Sequence, residues 1–199
     1  MTVPPMTVHR VGGLVLAGGR ARRMGGGDKA LLTVDGRSML AAVIAALDLP
    51  VMAISANGDP ARFAAFGLPV LPDGRFADEG PLAGILAGLE WAAGLGLSAL
   101  LTAPCDTPRL PRGLSHVLWP PPCGVSSGGR LHHLVASWPV GCAGDLRMLL
   151  SGPGSRSVGR FAERIGMQYV AFPADPVDPF ANVNTPEDLA RVRSGGSPE

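Results

Sequence analysis

The residues best suited to chemistry fall at a few separate places along the chain. Residues 14–32 read LVLAGGRARRMGGGDKALL. An apolar run, Leu14 to Ala17, stops at Gly18 and Gly19, and the loop after it sets Arg20, Arg22, Arg23 and Lys29 among Gly25, Gly26 and Gly27. Glycine lets backbone N–H groups come close to a ligand and turn with positive φ. Four cations in such a loop, at the end of a predicted strand, suit a polyanion, and the natural candidate is a nucleoside triphosphate. The loop is not a Walker loop, because Lys29 stands between Asp28 and Ala30 and no hydroxyl follows it to hold magnesium. It is not a dinucleotide fingerprint either, since Gly18-Gly19 followed by Arg20-Ala21 lacks the G-x-G-x-x-G spacing. Taken alone, the same segment also reads as a basic surface loop.

Two further positions carry polar groups at predicted strand ends, where ligands bind in an open parallel sheet. Asn57, in Ser55-Ala56-Asn57-Gly58, offers an oxygen and an amide to a base or ribose; as part of an Asn-Gly pair it reads equally as a turn residue. Asp106, in Pro104-Cys105-Asp106-Thr107-Pro108, is a candidate magnesium ligand, because that ion takes one or two carboxylates and completes its shell with waters and phosphate oxygens. A turn or helix-cap role is the alternative for Asp106. Cys105 beside it reads as a small buried hydrophobe rather than a nucleophile. Asp73 opens a loop that runs through Asp78 and Glu79 to Gly80-Pro81-Leu82-Ala83-Gly84, where acids ahead of a helix also serve as caps or dipole partners. Residues 182–189, NVNTPEDL, read as a well-capped helix start with Asn182 and Asn184 just before it.

The elements that must position these groups alternate between strand and helix. Strands are expected at 12–17, 51–55, 69–71 and 98–103, and helices at 38–48 (capped by Ser38), 60–66 and 81–95. The last of these carries Leu82, Ile85, Leu86 and Leu89 on one helical face. Further on, a strand is expected at 134–138, helices at 143–150, 157–165 and 185–192, and an extended segment at 168–172. Strands separated by helices argue for a parallel sheet of βαβ units and an α/β fold.

The composition is that of a globular chain. Of 199 residues, 46% are hydrophobic and 17% charged, which supports a core and excludes a disordered polymer. The formal net charge of +1 gives no global field to recruit nucleic acid, so neither nucleic acid nor membrane is expected as a partner. No run of about 18 apolar residues predicts a membrane span. Cys105, Cys123 and Cys142 are odd in number and widely spaced, which fits neither a disulfide framework nor a zinc site and favours a cytoplasmic setting. The first residues lack a secretory pattern, and the tail 194–199 is expected to be mobile.

Five segments, in order, resemble the molybdenum cofactor guanylyltransferase (MobA) family: LAGG at 16–19, RMGGGDKALL at 23–32, GPLAG at 80–84, PCDTP at 104–108 and NVNTPEDL at 182–189. LAGG with a following RMG and lysine is shared by many nucleotidyltransferases, whereas PCDTP and NVNTPEDL are more specific to the molybdopterin branch. The resemblance implies one domain over 1–193 with a three-layer, Rossmann-like α/β nucleotidyltransferase fold and a mostly parallel central sheet. Residues 12–110 would form its nucleotide-binding half and 111–193 its molybdopterin-binding half.

The resemblance further implies transfer of GMP from GTP to molybdenum-bound molybdopterin, with Mg²⁺ as cofactor and pyrophosphate as by-product. By the same likeness, Leu16, Ala17, Gly18 and Gly19 would hold the nucleotide through backbone contacts. Lys29, with Arg23, would face its phosphates. Asn57 and Asp73 would lie in the guanosine site, Asp106 would bind Mg²⁺, and Asn182 and Asn184 would line the molybdopterin side. Transient contact with acceptor molybdoenzymes or an accessory GTP-binding protein is compatible with this reading. The chain departs from the family at His132-His133, where a His-Pro pair is usual; by resemblance His132 belongs to the pterin pocket, and His133 is expected to be exposed. A cytidylyltransferase of the same branch, another nucleotidyltransferase and a non-catalytic GTP-binding delivery subunit are the competing functions.

Overall fold

The computed structural model describes residues 10–18, 29–34, 36–77, 79–185, 187 and 188. Strand β1 (Val11–Leu16) is followed, from Lys29, by a short 3-10 turn and a hairpin of β2 (Thr33–Val34) and β3 (Arg37–Ser38). The hairpin delivers Ser38 as the cap of α1 (Met39–Leu47), where the Ser38 hydroxyl accepts from the Ala41 N–H at 3.2 Å, as expected from the sequence. Next come β4 (Met52–Ser55), a 3-10 helix over Pro60–Phe66 capped by Asp59, β5 (Val70–Leu71) and a 3-10 turn at Gly74–Phe76. The chain continues through α2 (Pro81–Gly94), β6 (Ala99–Pro104), α3 (Leu114–Val117), β7 (Cys123–Ser127) and β8 (Arg130–Pro139). It then forms α4 (Ala143–Ser151), α5 (Val158–Arg164) and β9 (Gln168–Phe172). The expected helix at 185–192 and the tail at 194–199 lie largely or wholly outside the described residues.

The main sheet has the order β5-β4-β1-β6-β8-β7-β9. Only β8 runs antiparallel to its neighbours in it, so the sheet is mixed but mostly parallel. Because successive strand residues face opposite sides, Val11 and Val15 join one core with α1, α3 and Phe63, whereas Leu14 joins another with α2, α4 and α5. The result is the three-layer α/β architecture expected from the sequence. Trp138 on β8 is fully buried, stacks on Phe161 at 6.0 Å and donates its indole N–H to Thr102 Oγ1 of β6 at 2.9 Å, so its one polar group is satisfied.

Two departures from the expected elements have local causes. Strand β8 is twice as long as its predicted core, because the polar residues Arg130, His132 and His133 pair as strand although they break the apolar pattern. Its pairing with β7 is also irregular: Gly124 faces Ala136 but Val125 already faces His132. Strand β7 was not expected at all, since CGVSS is short and is held by partners on both sides rather than by its own pattern.

Helix α2 lies close against the sheet because Gly88 has no side chain. A Cβ there would sit 2.5 Å from Leu14 Cδ2 and 2.8 Å from Leu100 Cδ2, and both leucines are fully buried with no room to swing aside. We therefore expect Gly88→Ala to lower stability by about 1–3 kcal/mol through overpacking, despite alanine's better helix propensity of about 1 kcal/mol. Chemical denaturation would show this as a lower midpoint; an unchanged or higher one contradicts the packing argument.

Candidate functional site

The carboxyl ends of β1, β4 and β6, with the segment after β5, border a cleft of about 340 Å³. That size suits a small-molecule site. Of the residues expected to bind ligand, Leu16, Gly18, Lys29, Asn57, Asp73, Asp106 and Asn182 line it. Ala17 is buried, and its N–H continues the sheet by donating to Ser55 O at 2.8 Å. Gly19 and Arg23, together with Arg20, Arg22 and Gly25–Gly27, lie outside the described residues.

Lys29 starts the 3-10 turn ahead of the β2–β3 hairpin and is buried at its residue level. Its ammonium reaches Asp106 Oδ2 and Asn184 Oδ1, each at 2.5 Å. An ammonium has three protons, and these two bonds use two of them. Asp106 is presented by a tight turn: Cys105 N–H extends the β1 ladder to Leu16 O at 3.0 Å, and Thr107 Oγ1 closes the loop onto Pro104 O at 2.8 Å. Its carboxylate caps no helix among the described residues. Oδ2 takes the Lys29 proton, while Oδ1 is buried without a hydrogen-bond partner among the described residues. A buried acceptor of that kind is costly unless something else occupies its lone pairs.

The segment carrying Asn182 and Asn184 is stitched to this pair. Val183 is fully buried and donates its N–H to Asp106 O at 2.8 Å. Beyond it, Asp188 Oδ2 accepts from the Asn184 and Thr185 N–H groups at 3.0 Å, and Thr185 Oγ1 accepts from Asp188 N–H at 3.1 Å. This reciprocal arrangement fits the well-capped helix start expected within 182–189.

Also lining the cleft, Asn57 and Asp73 hold one another. Asn57 Nδ2 donates to Asp73 Oδ2 at 2.7 Å, and Asn57 Oδ1 accepts the Asp73 N–H at 2.9 Å. The oxygen and amide expected to read a base or ribose each spend one bond on Asp73, which leaves the second Nδ2 proton and the second Oδ1 lone pair. Ser55 Oγ adds a longer bond of 3.4 Å to Asp73 Oδ1. Burial raises the Asp73 pKa above the ordinary carboxylate range, and the bonds from Asn57 and Ser55 pull it back down. Asp73 makes no side-chain cap to the turn after it, so the capping alternative is not used. Gly80, at φ 69°, turns the chain into α2. Gly84 on that helix leaves room for the Asp73 cluster, since a Cβ there would collide with Ser55 Oγ.

The two adjacent histidines have different surroundings. His132 Nε2 lies 2.7 Å from Ser127 Oγ, and its ring sits 5.3 Å from that of Phe180. Burial lowers its pKa, with Asp178 acting in the opposite direction. His132 is absent from the lining of the cleft that its resemblance to the family pointed to. His133 is half-buried rather than exposed: its Nδ1 is 2.6 Å from the Tyr169 hydroxyl, and Gly159 leaves space for its ring. Sequence reasoning missed Ser55, Ser127 and Asp178; only the strand-end position of Ser55 and the Asp-Pro turn signal at 178–179 hinted at them. Cys105, Cys123 and Cys142 are all buried and none is in a disulfide; burial pushes the Cys142 thiol up to about 11, so it is a protonated core residue at neutral pH. No helix among the described residues is long and apolar enough to cross a membrane.

The chain is similar in sequence and in fold to known proteins. Residues 13–166 match the family model of the MobA-like NTP transferase domain. A molybdenum cofactor guanylyltransferase of Acidiphilium cryptum is 53% identical over 92% of this chain and 93% of its own length. One of Cereibacter sphaeroides is 50% identical over 93% of this chain and 96% of its own length. The crystal structure of molybdopterin-guanine dinucleotide biosynthesis protein A from Archaeoglobus fulgidus superimposes with a TM-score of 0.69, at 21% identity, over 92% of this chain and 96% of that one. The fold, the 13–166 match and these identities together establish that this chain belongs to the MobA-like NTP transferase family.

Proposed function

We propose that the chain is a molybdenum cofactor guanylyltransferase, which transfers GMP from GTP to the terminal phosphate of molybdenum-bound molybdopterin and releases pyrophosphate. The names and high identity of its relatives support the activity. The observation that carries the chemistry is the Lys29–Asp106 pair at the cleft, with Asp106 Oδ1 buried and unpartnered among the described residues.

An acceptor phosphate oxygen forms the new bond to the α-phosphorus of GTP as the bond from that phosphorus to the β-phosphate oxygen breaks. The nucleophile is already anionic at neutral pH, so no strong base is required. The protein's work is alignment and charge stabilisation. Lys29 directs a remaining N–H at the phosphates, a role that the family resemblance also gives to Arg23. The backbone of Leu16, Ala17, Gly18 and Gly19 follows the nucleotide. Asp73, held rigid by Asn57, faces the guanosine, and Asn182 and Asn184 present amides to the molybdopterin side. In this scheme residues 12–110 serve the nucleotide and 111–193 the pterin, within one domain.

The residues present fit a magnesium ion. Asp106 Oδ1 is a buried acceptor without a hydrogen-bond partner among the described residues. A site with one protein carboxylate matches magnesium, which keeps waters and substrate phosphate oxygens as its other ligands. Bound to Asp106, it supplies Lewis-acid stabilisation of phosphoryl charge. Hand-over of the product to molybdoenzymes, or contact with an accessory GTP-binding protein, is the partnership this activity calls for.

The test is pyrophosphate release by the purified chain with Mg²⁺ and molybdenum-loaded molybdopterin, with GTP and CTP compared side by side. We expect turnover with GTP and a strong preference for it. Equal or better turnover with CTP would assign the cytidylyl branch. Tight GTP–Mg²⁺ binding without pyrophosphate release would assign a delivery subunit.

A further inference from the structure

At the same end of the sheet as the cleft, but outside its lining, lies a second polar cluster that joins three elements. Ser127 closes β7, His132 lies near the start of β8, and Asp178 follows β9. Ser127 is 3% exposed, and its hydroxyl donates to Asp178 Oδ1 at 2.7 Å while lying 2.7 Å from His132 Nε2. A serine hydroxyl carries one proton, and a carboxylate only accepts. The Ser127 proton therefore goes to Asp178, and His132 Nε2 carries the hydrogen of the other bond. The three groups form a directed chain: His132 to Ser127 to Asp178.

Asp178 also turns the backbone that follows it, since the same Oδ1 accepts the Phe180 N–H at 2.9 Å and Asp178 O accepts the Ala181 N–H at 3.2 Å. Phe180 is fully buried, packed on Phe172 at 5.0 Å and on the His132 ring. From there only residues 181 and 182 separate this anchor from Val183, whose N–H is on Asp106 O, and Asn184, which accepts from Lys29. A short arm is thus pinned at both ends, and Asn182 lies between the pins, lining the cleft.

We propose that Ser127, with His132 and Asp178, is a positioning cluster that sets the arm carrying Asn182 and Asn184, and so orients the acceptor side of the cleft without touching substrate. This rests on the guanylyltransferase reading for its kinetic consequence, although the clamp itself has a structural readout. Ser127→Ala removes both bonds with little change in volume, and Ser127→Thr restores a hydroxyl. Asp178→Asn keeps an acceptor for Phe180 N–H but weakens the bond from Ser127, and it covers the case in which a change at Ser127 disturbs folding.

The experiment combines amide hydrogen exchange with steady-state kinetics on the full chain. In Ser127→Ala, exchange at Phe180 and Val183 should rise about tenfold, the scale of losing a hydrogen bond to a charged group, with β1 and α1 unchanged. The KM for molybdopterin should rise, kcat should fall, and the KM for GTP should stay within about twofold; Ser127→Thr should recover most of both changes. Asp178→Asn should move the same two readouts in the same direction. Wild-type exchange at Val183 in Ser127→Ala and Asp178→Asn overturns the clamp. So does an equal loss for GTP and molybdopterin, which would mark general destabilisation. If the wild-type chain turns over no GTP, the guanylyltransferase reading fails instead, and the exchange result still decides whether the clamp exists.

Discussion

Asp106→Asn should lower guanylyl transfer by about 10²–10³-fold at saturating Mg²⁺ and GTP, the usual scale for losing one electrostatic stabiliser, while the fold survives. The substitution separates two duties of the side chain. Asp106 Oδ2 accepts from Lys29, and an amide oxygen can still accept there; Oδ1 is buried and has no partner among the described residues, and an uncharged amide is a poor replacement ligand for magnesium. The Asn variant should therefore unfold close to the wild-type midpoint but need far more Mg²⁺ for half-maximal rate. Asp106→Ala should show the same loss of rate with an added stability cost, because it strands the Lys29 ammonium at a position that is mostly buried. A magnesium titration of pyrophosphate release distinguishes these outcomes. Near-wild-type turnover with an unchanged Mg²⁺ requirement would remove Asp106 from the metal site.

The parts of the fold that could be read in advance are those in which one segment carries its own signal. Strand β1 shows as an apolar run cut off by two glycines, and α2 shows because Leu82, Ile85, Leu86 and Leu89 recur at helical spacing; the structure buries all four. The β7 strand and the first half of β8 carry no such signal. Their residues are strand because neighbours pair with them, and the irregular register at Gly124 and Val125 removes the period of two that would have revealed them. The site divides in the same way. Lys29, Asp73 and Asp106 stand out by type and by position at strand ends, but their partners do not. Asn184 is 155 residues from Lys29, and Asp178 is 51 from Ser127. Those bonds depend on how the chain returns to the sheet after β9. The sequence also could not tell that Asn57 would turn both its polar atoms to Asp73, because an Asn-Gly pair specifies a turn and not where the side chain points.

Lys29→Ala should cost as much as the change at Asp106, about 10²–10³ in rate, but with a different signature. Lys29 is bonded to both Asp106 and Asn184, so its loss frees the Asp106 carboxylate and the Asn184 segment together. It also removes a cation from the cleft itself, and GTP binding measured without Mg²⁺ should weaken, whereas in Asp106→Asn it should not. Lys29→Arg should rescue little. A planar guanidinium has a longer reach and a fixed fork, and two acceptors 2.5 Å from a single point charge leave no place for it. Groups that act through one shared contact are not additive. The double variant Lys29→Ala, Asp106→Ala should thus fall well short of the product of the two single losses, because the first change already dismantles the pair. Losses that multiply would mean that the two side chains act independently, and the ion pair would then be incidental to transfer.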